Sequence, residues 1–482
     1  MAGTNIDLLA KHPLWERWVQ LAPDKIALKS AADTLTWSQL SEQIQVLRQQ
    51  LVEHHVSAGD VVCLVGRAEQ SLVLRYLACV AHGAIPALLS DQPKPQLMAK
   101  FNTLYRPDDR VLVWGHCQWD GSTANCGERE LYMVDYSQRD DQPTNEAPPS
   151  NIDLGESIAS IVFTSGSTGQ PKAVAHTASH HQASADGLLQ RFSFTRADSW
   201  LLSLPMFHVS GLAIIWRWLN VGATLHIASG DFADDIANVT HASLVATQLK
   251  RIIDNQWPTT LKRVLLGGSH IAHSLVESAQ ARGIEAWMGY GMTETASTVT
   301  AKRVDSIPSS GVLLSHRALK VEHQRIYLAG NTLACGYFQQ GQIVPLTLES
   351  GWFDTKDLGH WNSLQELCVV GRADNLFISG GENVHCEEVE AALNSLTFIS
   401  QAMVVPVEDE EFGVRCVAVV QANTQPELAM MRKCLLPLLA KFKHPIAYYR
   451  MPSHLASTGI KVARRDVKQW LSDTQSDFIV IS

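Results

Sequence analysis

Short apolar runs, many of them β-branched, alternate along the chain with segments whose apolar residues recur at helical spacing. Val61 to Val65, Ile158 to Phe163, Arg263 to Leu266 and Ala286 to Met288 read as strands ending in glycine-rich or polar turns. Leu40 to Val52 and Ser71 to His82 read as amphipathic helices. Asp234 to Val239 followed by His241 to Asp254 reads as a helix, a strand and a second helix. This alternation predicts layered α/β structure with a largely parallel sheet, in which ligands collect at the carboxyl ends of the strands.

The polar stretch Ser137 to Ser157 reads as a surface connection, with a subdomain boundary expected near residue 150. A sharper boundary follows Gly371-Arg372-Ala373-Asp374. Beyond it, Glu387 to Leu396 and Pro426 to Lys441 predict helices, and Ala402 to Val407 and Val414 to Gln421 predict strands. These suffice for a small α+β domain over 374–482, after a large layered α/β domain over 1–373.

The 482 residues carry a formal charge of −9 and 18% charged residues, so nothing global recruits nucleic acid or an anionic membrane. The 9 cysteines include no C-x-x-C pair, which argues against a zinc site and a disulfide framework. No apolar run is long enough for a bilayer, and the first residues lack a leader pattern. A reduced, cytoplasmic protein without membrane insertion is expected; homo-oligomerisation is left open.

Chemistry concentrates in a few turns. Thr164-Ser165-Gly166-Ser167-Thr168-Gly169-Gln170-Pro171-Lys172 places hydroxyl donors, two glycines and an ammonium directly after a strand, which suits a polyphosphate better than an exposed Ser/Gly turn. Lys172 follows Pro171 and precedes Ala173, so the loop is not of the P-loop NTPase form. His208 stands alone in an apolar run, either as a packed core histidine or as a pocket residue. Arg217 lies between Trp216 and Trp218; if buried, it needs a structural carboxylate or an anionic substrate. Gly267-Gly268 ends a strand and leaves room for a flat ring. Gly289-Tyr290-Gly291-Met292-Thr293-Glu294 combines an aromatic face, a hydroxyl and a carboxylate.

The T-S-G-S-T-G-x-P-K loop resembles that of the adenylate-forming superfamily: acyl-CoA synthetases, luciferase-like enzymes and peptide-synthetase adenylation domains. Motif order is kept from this loop to the carboxyl end. The resemblance implies a large amino-terminal domain and a small hinged one, with ATP, Mg²⁺ and coenzyme A as ligands. It implies that Thr164, Ser165, Gly166, Ser167, Thr168, Gly169 and Lys172 hold the β- and γ-phosphates. Gly289, Tyr290 and Gly291 would face adenine, with Thr293 on the α-phosphate and Glu294 on Mg²⁺. Asp357 would meet ribose and Arg372 ribose or phosphate, Asp374 would be the hinge, and Gly380 and Gly381 would let the pantetheine arm pass.

Gly459-Ile460-Lys461-Val462-Ala463-Arg464 resembles the family's G-K-x-x-R segment with one extra residue, which implies Lys461 as the catalytic ammonium. Lys356 stands where family members commonly carry Gly. The turn Gly267-Gly268 would border the adenine and acyl pockets, and His208 would lie beside the acyl pocket. The runs WLLSLPMFHVSG, WRWL, HASLVATQL and GYGMTETASTV resemble the branch of acid–CoA ligases that serves menaquinone synthesis, implying 2-succinylbenzoate as the acid. Arg217 would then read its aromatic carboxylate, with Ser297 and Thr298 in the same pocket. Alternatives are a ligase for another aromatic or short-chain acid, a free-standing loader of carrier proteins, and a catalytically silent nucleotide-binding regulator.

Overall fold

The computed structural model describes residues 13–115, 125–126, 129–134, 153–165, 171–267, 271, 273–347, 350–379, 381–422, 428–456 and 464–473. Two nine-stranded sheets dominate it. One runs Val312–Leu313, Ser297–Arg303, Glu285–Met292, Arg263–Gly267, His241–Val245, Ser199–Leu202, Thr224–Ile227, Ile26–Lys29, Thr34–Thr36. The other runs Gln342–Val344, Gly336–Gln339, Pro171–Thr177, Ile158–Ser165, Ile85–Leu89, Val61–Val65, Val111–Gly115, Arg129–Met133, Asn125–Cys126. Both are parallel in the middle and antiparallel at the edges.

Helices Trp37–Glu53, Gln70–His82, Ala178–Leu189 and Val209–Val221 contribute to one core shared by both sheets, in which Leu64 and Val162 join the same apolar cluster as Leu202 and Leu225. The strands contribute alternate faces, and continuous apolar runs such as Val61–Val65 are buried on both. Trp37–Glu53 begins three residues before the apolar pattern at Leu40 because Thr36 and Gln39 cap it reciprocally. Gly83 and Gly222, both left-handed, stop the helices they follow.

The boundary expected near residue 150 does not separate one sheet from the other. The strands at 26–36 lie in the sheet built from 199–313, and Ile158–Ser165 and Pro171–Thr177 lie with the earlier strands. A polar stretch marks exposure, not which sheet its neighbours join. A four-stranded antiparallel sheet, Arg317–Glu322, Arg325–Gly330, Phe353–Trp361 and Leu367–Arg372, follows.

After a short turn at Ala373–Asn375, the hairpin Leu376–Ser379/Glu382–His385, the sheet of Ile399–Asp409, Gly413–Ala422 and Tyr448–Arg450, and the helices Cys386–Asn394 and Leu428–Leu435 enclose a core of their own around Val389, Val404, Val420 and Tyr448. The helix expected to reach Lys441 ends at Leu435. Pro437 lacks an N–H and disfavours helical backbone at Leu436, which accounts for the stop. Among the described residues no helix is long and apolar enough to cross a membrane.

Candidate active site

Thr164 pairs with Lys172 and Ser165 with Pro171 across antiparallel strands, so the two ends of the expected phosphate loop lie side by side. Gly166, Ser167, Thr168 and Gly169 lie outside the described residues. Gly336–Gln339 pairs beside the same strands and brings Tyr337 under Lys172, whose Nζ lies 4.9 Å from the ring centroid. The Tyr337 hydroxyl donates to Glu294 Oε1 at 3.2 Å. Burial, then the Glu294 charge, raises the Tyr337 pKa, so the phenol stays a donor. Lys172, Tyr337 and Glu294 thus form one chain of contacts drawn from three distant parts of the sequence.

His176, on the same strand pair, donates from Nε2 to the Thr293 carbonyl at 2.7 Å. Burial pushes its pKa down to about 3, and that of His241, packed among Phe192, Phe194 and Trp200, to about 4. Both are neutral in the folded protein but would titrate near pH ~6.5 when unfolded. Between those values the unfolded chain binds more protons. This part of the stability is therefore complete above about pH 6.5 and falls with acidification, by up to about 1.4 kcal/mol per pH unit for each histidine. Urea midpoints should decline steadily from about pH 7 to pH 5; a level profile over that range would contradict the assignment.

The Gly289-Tyr290-Gly291 segment, expected as a turn after a short strand, is itself strand: Glu285–Met292 runs through it and pairs antiparallel with Ser297–Arg303, with a bulge between Tyr290 and Gly291. A Cβ on Gly291 would lie 1.8 Å from the Ser297 carbonyl oxygen, so this close approach requires glycine. Thr293–Thr295 makes one 3₁₀ turn that carries Glu294.

The Tyr290 hydroxyl donates to Asp357 Oδ2 at 2.6 Å, and Arg372 Nη1 reaches Asp357 Oδ1 at 3.4 Å. Arg372 also grips Asp374 with two nitrogens, at 2.8 and 3.1 Å, which holds the Asp374 carboxyl below its ordinary pKa. Lys356 has φ 66°, which explains why a relative would place glycine there. Asp354 Oδ1 accepts its backbone N–H at 3.0 Å, and Asp357 keeps its position next door.

Arg217 is 2% exposed. Its Nη2 donates to Thr298 Oγ1 at 3.3 Å and to Ser297 Oγ at 3.5 Å, and its guanidinium lies 5.3 Å from the Trp200 ring centroid. Among the described residues its Nε has no partner and no carboxylate pairs with it. Burial, then the charge of Arg317, pushes its pKa down to about 9. The structural carboxylate that would have explained this arginine is therefore not what the described fold provides.

His208 precedes the helix Val209–Val221 with an exposed ring against Phe207, so it is not a packed core histidine. Gly267 ends its strand in open space, and Gly381 is exposed with φ 87°. Gly268, Gly380 and Lys461 fall outside the described residues. Among the described residues no cluster of His, Cys, Asp and Glu forms a metal cage. Sequence reasoning missed Tyr337, His176 and Trp200; only strand pairing or helix packing brings them to the site.

Residues 15–338 match the AMP-binding enzyme family. The 2-succinylbenzoate–CoA ligase of Salmonella typhimurium is 38% identical over 95% of this chain and 98% of its own, and that of Escherichia coli is 35% identical over 96% and 98%. A variant of E. coli MenE with bound OSB-AMS superposes with TM-score 0.84 at 34% identity, covering 96% of this chain and 98% of that one. The o-succinylbenzoate CoA synthetase of Bacillus subtilis, in complex with ATP and magnesium ion, superposes with TM-score 0.77 at 26% identity, covering 91% and 95%. Family match, near full-length relatives and fold agree: the chain belongs to the AMP-binding enzymes and, within them, to the 2-succinylbenzoate–CoA ligases.

Proposed function

We propose that the protein uses ATP to activate the aliphatic carboxylate of 2-succinylbenzoate, releases pyrophosphate, and passes the acyl group to coenzyme A with release of AMP, as a step of menaquinone synthesis. Arg217 carries the choice of acid. A buried guanidinium with hydroxyls on one edge and no described counter-ion answers a second carboxylate on the substrate, directly or through water. An acid with one carboxylate would leave it unpaired. Ser297 and Thr298 hold it in place, and Gly267 and Gly268 border the acyl and adenine pockets.

A carboxylate is a poor acyl donor because oxide is its leaving group; a mixed anhydride with AMP replaces it with a good one. Lys172 and the 164–169 loop hold the β- and γ-phosphates, and the Tyr337 ring limits where the ammonium can go. Thr293 faces the α-phosphate. Magnesium is commonly held by one or two carboxylates with phosphate oxygens, and Glu294, oriented by Tyr337, fits that role. When bound, the ion neutralises phosphate charge. Tyr290, between Gly289 and Gly291, presents its ring to adenine while its hydroxyl orients Asp357 toward ribose, with Arg372 alongside.

Lys461 supplies the cation that offsets negative charge as the carboxylate oxygen attacks the α-phosphorus. It belongs to a mobile domain, 374–482, that turns at Asp374 and then offers Gly380 and Gly381 to the pantetheine arm. His208 stands where the thiol enters. We place the enzyme in the cytoplasm, where thiols outside disulfides, such as that of Cys79, persist.

Incubation with ATP, Mg²⁺, coenzyme A and 2-succinylbenzoate should yield the mono-CoA thioester by mass, together with AMP. Turnover of a different acid in a carboxylate panel, with none of this one, would replace the substrate. Adenylate formation without transfer to coenzyme A would replace the acceptor.

A further inference from the structure

A second buried arginine lies behind the first. Arg317 opens the strand Arg317–Glu322 and is 8% exposed. Its Nη1 donates to the carbonyls of Ser315 at 2.7 Å and Ala183 at 3.4 Å, and its Nη2 to both the carbonyl and the hydroxyl of Ser184 at 3.0 Å. Among the described residues no carboxylate pairs with it. The nearby Asp186 instead accepts from His316 Nε2 at 2.7 Å. Burial pushes its pKa down to about 9, as for Arg217.

Helix Ala178–Leu189 makes space for this group. A Cβ on Gly187 would lie 2.1 Å from Arg317 Nη1 and 2.5 Å from the Ser315 carbonyl oxygen that Nη1 donates to, so the helix carries an interior glycine despite its cost of about 1 kcal/mol. A buried cation to which no carboxylate is bonded among the described residues, accommodated at the expense of the helix beside it, calls for a reason.

The bond network supplies one. Ser184 Oγ, which accepts from Arg317, donates to the Ala296 carbonyl at 2.6 Å. Ala296 and Ser297 have φ 51° and 104°, two successive L-residues in the left-handed half of backbone space. Such conformations cost on the order of 1–3 kcal/mol each and persist only where surroundings over-determine them. The turn they make aims the Ser297 and Thr298 hydroxyls at Arg217 Nη2.

Given Arg217 as the receiver of the ring carboxylate, on which this inference rests, we infer that Arg317 is a positioning residue. Through Ser184 it clamps the strained Ala296–Ser297 turn, and so fixes Arg217 for an acid bearing a second carboxylate. Its own charge adds to the positive field there, which favours a dianionic acid over a monoanionic one.

The test compares Ser184→Ala, Arg317→Lys and Arg317→Met with Arg217→Met in ATP–pyrophosphate exchange. The acids are 2-succinylbenzoate and 4-oxo-4-phenylbutanoate, the same molecule without its ring carboxylate. Ser184→Ala removes one hydroxyl from a position that keeps its backbone bonds. It should raise KM for 2-succinylbenzoate about tenfold, with KM for ATP and for 4-oxo-4-phenylbutanoate within about twofold of the parent. Arg317→Met should do the same or more, and Arg317→Lys should recover part of the loss.

A rise in KM for 2-succinylbenzoate in Arg217→Met, with none in Ser184→Ala or the Arg317 variants, would overturn the clamp and leave the Arg217 assignment standing. An unchanged KM in Arg217→Met would remove that assignment itself. Equal increases for ATP and both acids would reduce Arg317 to a structural residue, and Ser184→Ala keeps the test decisive should Arg317→Met not fold.

Discussion

Replacing Glu294 by Gln is expected to slow acyl-adenylate formation by about 10²- to 10³-fold while the protein stays folded. The substitution is nearly isosteric, and the new amide oxygen can still accept the Tyr337 hydroxyl that now reaches Glu294 Oε1. Only the negative charge is lost. Lys172 is held over the same tyrosine ring, where on the proposed reading it brings a cation to the phosphates. If Glu294 holds magnesium as proposed, the magnesium–triphosphate complex would lose a protein carboxylate, and a higher Mg²⁺ concentration should recover part of the rate. ATP–pyrophosphate exchange measured across a magnesium series checks this. Transfer to coenzyme A from a supplied acyl-adenylate, which needs no triphosphate, should be far less affected. An exchange rate within a fewfold of the parent would remove Glu294 from the metal role.

The second large effect is at Arg217. Arg217→Met should raise KM for 2-succinylbenzoate by about 100-fold or more, because a buried hydrogen-bonded charge pair is typically worth about 2–5 kcal/mol when one partner is removed. In the ligand-free protein the sign differs. There the guanidinium is buried on hydroxyls and an indole face without a described counter-ion, and its lowered pKa records the penalty. An apolar side chain of similar length relieves that penalty, so the melting temperature of the unliganded variant should hold or rise. Thermal unfolding with and without the acid separates the two effects. A variant that melts early and keeps its KM would mark Arg217 as structural.

Much of this molecule was legible before its coordinates. Val61–Val65 is a strand because five consecutive β-branched or apolar residues can be buried on both faces. The turns that bear hydroxyls, glycines and carboxylates stand out through residue type alone, and the fold brings Lys172 and Glu294 to one tyrosine. What escaped depended on pairing. Nothing local in Gly336-Tyr337 signals that this strand lies against Pro171–Thr177 and places a phenol between Lys172 and Glu294. His176 looks like a helix-flanking residue until its ring meets the Thr293 carbonyl, 117 residues away. The Gly289–Gly291 segment reads as a turn because glycine weakens strands; its glycines are there for close strand approach. Arg217 was the reverse case, since burial was predictable from its neighbours and the absence of a described counter-ion was not.

The interleaving of the two large sheets bears on biosynthesis. Ile26–Lys29 hydrogen-bonds to Thr224–Ile227, a contact spanning 198 residues between Ile26 and Thr224. During translation the first strand therefore emerges long before its partner exists, and its open edge must wait while the chain for most of the other sheet is delivered. Nascent chains halted before residue 224 would carry that unpaired edge and be the species most dependent on a chaperone.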